Sequence, residues 1–550
     1  MCFYVIKVTP VYYIETEMIY NSINRILILS LFVTIASCGG AESDEISEAE
    51  VAMSELLQSK LETTDYLIYE ADTLLANSEV ISYYKAHTFL PIWTTSSDLT
   101  EAGNEFMGMI DNAYDYGFMP EMFRASLIHK MADSSLADAE MLLSNAFYLY
   151  ATHINLGCID SSNYSYVWKK DSLTYSLDTE LDRVKNGESV TEVITSHQPQ
   201  YWDYLQLQKG LVAFLDSFDL DTNHYEIPAF KDDSVTCYIA AKKALIGHLY
   251  IDSSQALTDS IFIERLKAFQ LINGLKDDAI VGKWTGRALA KSNQDRFYQA
   301  ALSLEKWRWK KNVPSRYLRI NIPEFTLYLV DSNEVKRKHR VVVGAYATQT
   351  PEFHATFRRM VTNPFWHVPY SISSTEILYG ARKDTAYFEK RGYNIFKSGD
   401  QVDPKSVDWS NVKQNNFPYR VRQNGGGSNS LGRIKFLFPN HHSVYVHDTP
   451  SKRLFSNDVR AYSHGCIRLQ DPFDLAKAIL ELDQHKIVAD TLDSLIIRGT
   501  QRVIEVEKPF EVFIEYFTAS GDSTGNIIFH PDIYGRDEKF LTNTFKKFEF

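Results

Sequence analysis

Hydrophobic residues in the first half of the chain recur with the period of an α-helix. Between about residues 50 and 255, apolar side chains return every three or four positions, and this spacing places them on one face of a helix. The clearest groups are Val51, Met53, Leu56, Leu57 and Leu61; Phe106, Met107, Ile110, Ala113 and Tyr114; and Met141, Leu142, Ala146, Phe147 and Tyr150. The pattern predicts a helical domain over residues 51–255 with these side chains in its core.

A shorter helical unit is predicted over residues 256–292. It contains an amphipathic helix, Gly274 at the position of a C-terminal cap, an aspartate-containing turn and a second helix that begins near residues 282–285. Residues 293–312 are then predicted to form a helical connector to the next region.

From residue 313 onward, the hydrophobic period changes to two. Three segments alternate between apolar and polar residues, as β-strands do: 318–322, 326–330 and 338–343. Residues 372–416 are polar and poor in strand signals, so they are predicted to form a lid-like insertion. Residues 313–540 are therefore predicted to form a mostly-β domain, and the whole chain is predicted to be a multidomain α+β protein.

The N-terminal segment has the pattern of an export signal. Residues 24–37 form a mostly apolar stretch that is too short for a stable transmembrane helix, and Ile-Ala-Ser precedes Cys38. This ending matches the bacterial lipobox, which implies cleavage before Cys38 and attachment of lipid to its thiol. Residues 1–37 are therefore predicted to be a lipoprotein signal peptide, and residues 38–50 a flexible tether. An uncleaved anchor is the alternative.

The start of this segment is unusual. Residues 1–17 carry Glu15 and Glu17 where an export signal has positive charge, so Met18 makes a better start than Met1. The chain of 550 residues has a formal net charge of −13. A negative charge of this size argues against nucleic acid as a partner.

One cysteine lies in a setting suited to nucleophilic chemistry. Cys466 follows Ser463, His464 and Gly465, and His447 ends a predicted strand upstream. A free thiol with a pKa near 8.5 needs a base or a cation beside it to act as a nucleophile at neutral pH. The pattern predicts acyl-transfer chemistry with Cys466 as nucleophile and His447 as base.

Neighbouring groups complete this prediction. Gly465 permits a tight turn in which its own amide and that of Cys466 point at a developing oxyanion. Asp448, or a nearby carbonyl group, would orient the imidazole of His447. Cys158 and Cys237 lack such a context and are interpreted as small buried side chains.

A zinc site is the rival interpretation of the same residues. The candidate ligands are His441, His442, His447, His464 and Cys466. However, neither a Cys-x-x-Cys nor a His-Glu-x-x-His spacing is present. We therefore predict neither a metal nor an organic cofactor.

The His447 and Cys466 arrangement resembles the signature of the L,D-transpeptidases, the YkuD-type enzymes of bacterial cell walls. Their pattern is a histidine followed, after a similar spacing, by Ser/Thr-His-Gly-Cys. Further similar segments are 305–309, 321–325, 341–344, 363–369, 431–436 and 447–450. The resemblance extends over roughly residues 60–540 and is to the large, scaffold-bearing subfamily.

Two helical regions share in this resemblance. Residues 78–124 resemble the scaffold of that subfamily, and residues 256–292 resemble a small peptidoglycan-binding module. The chain has Ala279 after Asp278 where the module normally has glycine. A purely structural three-helix insert is therefore an open alternative for residues 256–292.

The resemblance implies a reaction as well as a fold. The Cys466 thiolate would attack the carbonyl between the third residue and the terminal D-alanine of a stem tetrapeptide. The side-chain amine of a neighbouring stem would then resolve the thioester into a 3→3 cross-link. L,D-carboxypeptidase or exchange activity from the same thioester is an alternative, and a catalytically silent peptidoglycan-binding lipoprotein is another.

The resemblance also suggests roles for residues around the cysteine. Ser463 and His464 would shape the turn, and Arg468 would hold a substrate carboxylate through its planar fork. Tyr445 and Trp366 would line the cleft, unless they are ordinary core residues of the sheet. The expected partners are peptidoglycan stem peptides and, through Cys38, a lipid membrane. The expected location is the periplasmic side of the cell envelope.

Overall fold

The computed structural model describes residues 48–63, 66–70, 72–159, 172–173, 175–251, 258–310, 312–384, 386–543 and 545. The predicted signal peptide, Cys38 and most of the tether lie outside the described residues. Within the described ranges, the chain contains no helix that is both long enough and apolar enough to cross a membrane.

The first part of the described chain is helical. Its helices are α1 Glu48–Leu61, α2 Asn77–Ala86, α3 Glu101–Asp111, α4 Ala125–Ser134, α5 Leu136–Leu156, α6 Leu177–Lys185, α7 Val190–Thr195 and α8 Trp202–Ser217. A short hairpin, β1 Ile68–Tyr69 and β2 Asp72–Thr73, follows α1. Helix α5 lies at the centre and packs against α1, α2, α3, α4, α6 and α7.

The helical period identified most of this core. Phe106, Ile110 and Phe147 are fully buried in one continuous hydrophobic cluster. The assignment of Val51 and Leu56 to the core is wrong, because they are 44% and 45% exposed. Both lie on α1, which packs against α2 and α5 and, among the described residues, leaves these two positions exposed.

Three further helices form a compact unit with its own core. They are α9 Ser234–Gly247, α10 Asp259–Ile272 and α11 Lys283–Leu289. Their shared cluster includes Cys237 of α9 as well as Phe262 and Leu266 of α10. Cys237 is therefore buried, as predicted, whereas Cys158 is half-buried and its amide donates to a Glu305 carboxylate oxygen at 3.0 Å.

The turn between α10 and α11 contains a strained residue. Ala279 has a φ of 57°, in the left-handed region that glycine adopts without a steric cost. Its amide donates to Oε1 of Gln270 at 2.8 Å. The structure thus gives a physical reason for the glycine that the related pattern has at this position.

Helix α12, Asn293–Arg308, joins the helical part to the sheet and is buried on nearly all sides. Its Lys306 donates to the Tyr516 carbonyl at 2.9 Å and to Asp537 Oδ1 at 3.1 Å. The region predicted as a connector is therefore a central core element.

The remainder of the described chain builds a nine-stranded sheet. Its strands are β3 Tyr317–Asn321, β4 Thr326–Asp331, β5 Glu334–Gly344, β6 Phe353–Thr362, β11 Ile434–Leu437, β12 Val446–His447, β13 Ala461–Ser463, β14 Ile467–Leu469 and β15 Arg502–Glu515. The order is β13-β5-β14-β12-β11-β6-β15-β3-β4, and β4 also pairs with β5. The pairings therefore close on themselves, and α16 Pro472–Leu482 and α17 Ala489–Ile497 pack against this sheet's core.

A small folded unit is inserted between β6 and β11. It contains β7 Trp366–His367, β8 Tyr393–Lys397, β9 Asp400–Val402 and β10 Arg420–Gln423, which form a sheet in the order β7-β10-β8-β9. Its helices are α13 Tyr370–Ile372, α14 Leu378–Lys383 and α15 Tyr387–Arg391. Within residues 372–416 only the short strands β8 and β9 occur, and β7 and β10 lie on either side of this range. This insertion has its own core, built around residues such as Phe388 and Trp409.

The last described elements are a hairpin, β16 Ala519–Gly521 and β17 Ile527–Phe529, and the helix α18 Glu538–Asn543. The hairpin packs on α8 and α12. A helical first part and a mostly-β second part confirm the predicted α+β class.

Candidate active site

Two neighbouring parallel strands place a histidine beside a cysteine. His447 ends β12, and Cys466 immediately precedes β14. The strands are aligned so that His447 is in register with Arg468, and the Ile467 amide donates to the Tyr445 carbonyl at 3.0 Å. The chain between the two strands therefore brings Cys466 close to the end of β12. The side chains of His447 and Cys466 line the same cleft.

The structure fixes the tautomer of His447. Its Nδ1 lies 2.5 Å from the backbone carbonyl oxygen of Asp448, and because a carbonyl only accepts, Nδ1 carries the proton. Nε2 is then a proton acceptor. Burial lowers the pKa of His447 to about 4, and the positive charges of Arg468 and Lys435 act in the same direction. The imidazole is therefore neutral at neutral pH and available as a base.

Asp448 orients this histidine through its backbone and not through its carboxylate. The carboxylate Oδ2 accepts from the Arg433 amide at 2.8 Å, and Oδ1 lies 2.6 Å from Nζ of Lys452. Of the two orienting groups that the sequence left open, the structure selects the carbonyl. The side chain instead holds the loop that follows β12.

Cys466 is a half-buried thiol at the floor of the cleft. Its Sγ lies 3.8 Å from the carbonyl oxygen of Ser443. Burial raises the thiol pKa, although hydrogen bonds from Tyr445 and the charges of Arg468 and Lys435 act in the opposite direction. The thiol is therefore protonated at rest, and its attack on a carbonyl requires a base such as the neutral His447.

The turn before Cys466 is held by Ser463. Its hydroxyl donates to the Cys466 carbonyl at 2.5 Å and accepts from the Gly465 amide at 3.2 Å. Its own carbonyl accepts from the Ala345 amide at 2.8 Å and from Oγ1 of Thr348 at 2.9 Å. Gly465 has a φ of 107°, a conformation that side-chain-bearing residues rarely adopt. Its amide is engaged with Ser463, so the prediction that this amide faces an oxyanion is wrong in this conformation.

Tyr445 lies near both the nucleophile and Trp366, because each of them affects the pKa of its hydroxyl. Burial and the cysteine together raise the pKa of Tyr445. Tyr445 and Trp366 both line the cleft, as the resemblance implied.

His464 reaches across the cleft to the insertion. Its Nε2 lies 2.7 Å from Oε1 of Glu376, and the two side chains are 48% and 57% exposed. The imidazole therefore contacts the insertion, and the prediction that His464 shapes the turn around Cys466 is wrong. Glu376 lies in a π-helical turn, Ser373–Ile377, between α13 and α14.

The cleft between the sheet and the insertion has a volume of about 600 Å³. Residues from both sides line it, among them Trp366, Ile372, Glu376, Tyr393, Tyr445, His447, Cys466 and Arg468. Arg468 is half-buried, and burial lowers its pKa. A planar cation at this position can bind a carboxylate of a substrate or stabilise the thiolate.

The residues do not assemble the rival zinc site. Within the described ranges, no group of three or more His, Cys, Asp and Glu side chains is arranged to hold a metal ion. His441 and His442 are exposed after β11.

Lys435 and Glu376 are among the residues of the cleft region that had no sequence-based assignment. Lys435 of β11 pairs with His447 across the strands and lies within one of the segments that resemble the family, but nothing in its own pattern distinguishes it. Glu376 belongs to the polar insertion, where one acidic residue among many gave no signal.

Family models account for both parts of the chain. Residues 315–504 match the model of the L,D-transpeptidase catalytic domain, YkuD, and residues 78–211 match the model of a scaffold domain. The chain therefore carries a YkuD-family L,D-transpeptidase catalytic domain together with a scaffold domain. His447 and Cys466 both lie inside the matched catalytic domain.

A curated relative supports the same assignment. A Haemophilus influenzae protein named "Putative L,D-transpeptidase" is 34% identical over 227 residues. The match covers 40% of this chain and 44% of that protein, so it spans less than half the length of the relative.

Two solved structures share only distant likeness. An L,D-transpeptidase from Mycobacterium smegmatis is 15% identical, with a TM-score of 0.18 over 36% of this chain and 58% of its own. A structure titled as the Ldtfm-avibactam carbamoyl enzyme is 11% identical, with a TM-score of 0.16 over 39% of this chain and 61% of its own. Scores this low establish no residue-level correspondence.

Proposed function

We propose that this protein is a peptidoglycan L,D-transpeptidase that forms 3→3 cross-links through a thioester on Cys466. One observation carries the proposal. Within the matched catalytic domain, a neutral, buried His447 with Nδ1 bound to the Asp448 carbonyl lines the same cleft as the Cys466 thiol.

In the first half-reaction, sulfur attacks the carbonyl that precedes the terminal D-alanine of a stem tetrapeptide. As the C–S bond forms, Nε2 of His447 takes the thiol proton and becomes an imidazolium. The C–N bond then breaks, and the imidazolium returns the proton to the leaving D-alanine nitrogen. The charges of Arg468 and Lys435 favour the sulfur anion during this step.

In the second half-reaction, the side-chain amine of another stem attacks the thioester. The new C–N bond forms as the C–S bond breaks, and His447 passes a proton from the amine to the sulfur. Water in place of the amine gives L,D-carboxypeptidase activity, and a free D-amino acid gives exchange. All three outcomes use the same thioester.

Mass spectrometry of the products tests the proposal. Purified protein incubated with a tetrapeptide stem should release D-alanine and form a dimer joined through the side-chain amine of the third residue. Trimmed monomer without dimer would replace the proposal with carboxypeptidase activity. If Cys466 neither reacts with a thiol label nor forms product, the silent peptidoglycan-binding alternative replaces it.

We further propose that Cys38 carries the lipid that anchors the protein on the periplasmic side of the cell envelope. The Ile-Ala-Ser-Cys sequence supports this proposal. Metabolic labelling with a fatty acid should mark the wild type and not Cys38→Ala. Recovery of mature protein with residues upstream of Ser37 intact would contradict it.

A further inference from the structure

The cleft has a marked asymmetry of charge. Among its lining residues, all of which lie in the described part of the chain, Glu376 is the single carboxylate. Arg391 and Arg468 are the cations of the same lining. A peptide donor and an amine acceptor meet such a surface through different groups, because the donor reacts at a carbonyl and the acceptor reacts at its ammonium group.

The position of Glu376 is defined by the insertion's own core. The π-helical turn that carries it ends at Ile377 and is followed by Leu378; these two residues are 1% and 2% exposed and belong to that core. Single π-helical turns of this kind occur frequently at functional sites. The backbone of Glu376 is thus held in place by the buried residues that follow it, while its carboxylate is open to the cleft and to solvent.

Glu376 also faces the nucleophile turn. Its Oε1 lies 2.7 Å from Nε2 of His464, and His464 is two residues before Cys466. A carboxylate has two oxygens and about four acceptor positions. Accepting one bond from His464 therefore leaves capacity for a second donor in the cleft that Glu376 shares with Cys466.

The second half-reaction needs such a group. An alkyl amine with a pKa near 10.4 arrives at neutral pH as an ammonium ion, so it must be bound as a cation and must lose a proton before it attacks. We propose that Glu376 is the acceptor-binding residue, whose carboxylate holds the primary ammonium of the acceptor stem beside the Cys466 thioester. This inference rests on the transpeptidase function proposed above.

The proposed step is balanced. The bound ammonium releases one proton to solvent through the exposed Glu376–His464 pair, which leaves a neutral amine. Its nitrogen attacks the thioester carbonyl, the C–N bond forms, and the C–S bond breaks. The second proton passes from nitrogen to His447 and then to sulfur, so that an amide and the Cys466 thiol remain.

A competing interpretation is that the Glu376–His464 pair serves only to hold the insertion over the site. A latch of this kind would affect every nucleophile alike. Loss of an ammonium-binding residue would slow the reaction of a charged acceptor and leave the reaction of an uncharged acceptor unchanged. The two interpretations therefore differ in a ratio of rates rather than in overall activity.

The experiment measures how the preformed thioester partitions between two nucleophiles. Full-length protein is first acylated with a tetrapeptide donor, and the adduct mass on Cys466 is recorded before any acceptor is added. A tripeptide stem with a free side-chain amine then competes with hydroxylamine, which is uncharged at neutral pH. In Glu376→Gln, the ratio of tripeptide product to hydroxylamine product should fall about five- to tenfold, the range between an exposed and a partly desolvated charge contact.

Controls separate charge from shape. Glu376→Asp keeps the carboxylate and should recover part of the ratio. Glu389→Gln removes another carboxylate of the insertion, which is 75% exposed and lies 3.3 Å from Lys405, and should keep the wild-type ratio. Added salt should lower the ratio in the wild type and not in Glu376→Gln, because screening acts on the charge contact alone.

An unchanged ratio in Glu376→Gln would overturn the proposal. An equal slowing with both nucleophiles would also overturn it and would establish the latch. If the wild type forms no adduct on Cys466 in the initial measurement, the transpeptidase function itself fails, and the two failures are thus distinguished.

Discussion

Two regions of this molecule bury titratable side chains, and they surround them with opposite charges. In α12, Lys306 is 1% exposed and is bound to the Tyr516 carbonyl and the Asp537 carboxylate. In the cleft, His447 is 5% exposed, and the charges that shift its pKa downward are those of Arg468 and Lys435.

The difference separates a titratable residue that is buried to stabilise the fold from one that is buried to act in catalysis. A buried ammonium group that is bound to a carboxylate and a carbonyl ties two parts of the fold together. A buried imidazole beside two cations loses its charge and becomes a base, because each nearby positive charge disfavours the imidazolium. Removing the Lys306 contacts should therefore lower the stability of the fold, whereas removing His447 should slow the reaction.

The largest effect is expected at the nucleophile and its base. Cys466→Ser should abolish thioester formation, because a serine hydroxyl is far harder to deprotonate than a thiol. His447→Ala should slow acylation by about 10²- to 10⁴-fold, the usual contribution of a positioned base. Intact-protein mass spectrometry of the acylation time course measures both. His441→Ala, an exposed histidine after β11, is the matched control, and equal loss in that variant would show that the effect is not specific to His447.

The next largest effect is expected in α12. Lys306→Met should cost about 3–5 kcal/mol, because it leaves Asp537 as a buried carboxylate without its cation. The urea midpoint of the unfolding transition measures this loss. Lys477 pairs with Asp493 at 2.8 Å on the surface, so Lys477→Met should cost at most about 1 kcal/mol. Similar losses of unfolding free energy in the two variants would contradict the expectation that the buried ion pair contributes more to stability than the exposed pair.

A pH series tests the charge state of His447 directly. The pKa of this residue is about 4 in the folded protein and about 6.5 in an unfolded chain. Between these values the unfolded chain binds a proton that the folded protein does not, so stability rises with pH. The contribution of His447 is therefore complete above about pH 6.5 and is lost as the pH falls toward 4, by roughly 3 kcal/mol in all.

Comparison with His447→Gln isolates this contribution from other titrating groups. The urea midpoint of the wild type should fall more steeply than that of the variant between pH 6.5 and pH 4.5. Parallel curves would mean that the pKa of His447 is the same in the folded and the unfolded chain, and would contradict the claim that burial and the nearby cations lower it.

The smallest effect on stability is expected from the backbone conformation of Ala279. Ala279 adopts a positive φ outside the active site, where no chemistry requires strain. Ala279→Gly should therefore raise stability by up to about 1 kcal/mol. Ala290, at the end of α11, has a φ of −72°. Ala290→Gly should therefore lower stability. A loss of stability in both variants would show that the strain at Ala279 is negligible.

The sequence by itself determined the classes of element and the reacting atoms. A three-to-four-residue period predicted the helices around Phe106 and Phe147, because that period is set by the geometry of one helix. Cys466 and His447 were identified because their chemistry needs those residue types at a characteristic spacing. Both signals are local, or repeat along a single element.

Tertiary structure decided the contacts that join distant elements. The pairing of Glu376 with His464, the choice of the Asp448 carbonyl over its carboxylate, and the engagement of the Gly465 amide by Ser463 all depend on how chains pack in space. The same holds for Leu56, whose periodic position on α1 is exposed among the described residues. Periodicity shows which side of an element is apolar, but only packing determines what lies opposite that side.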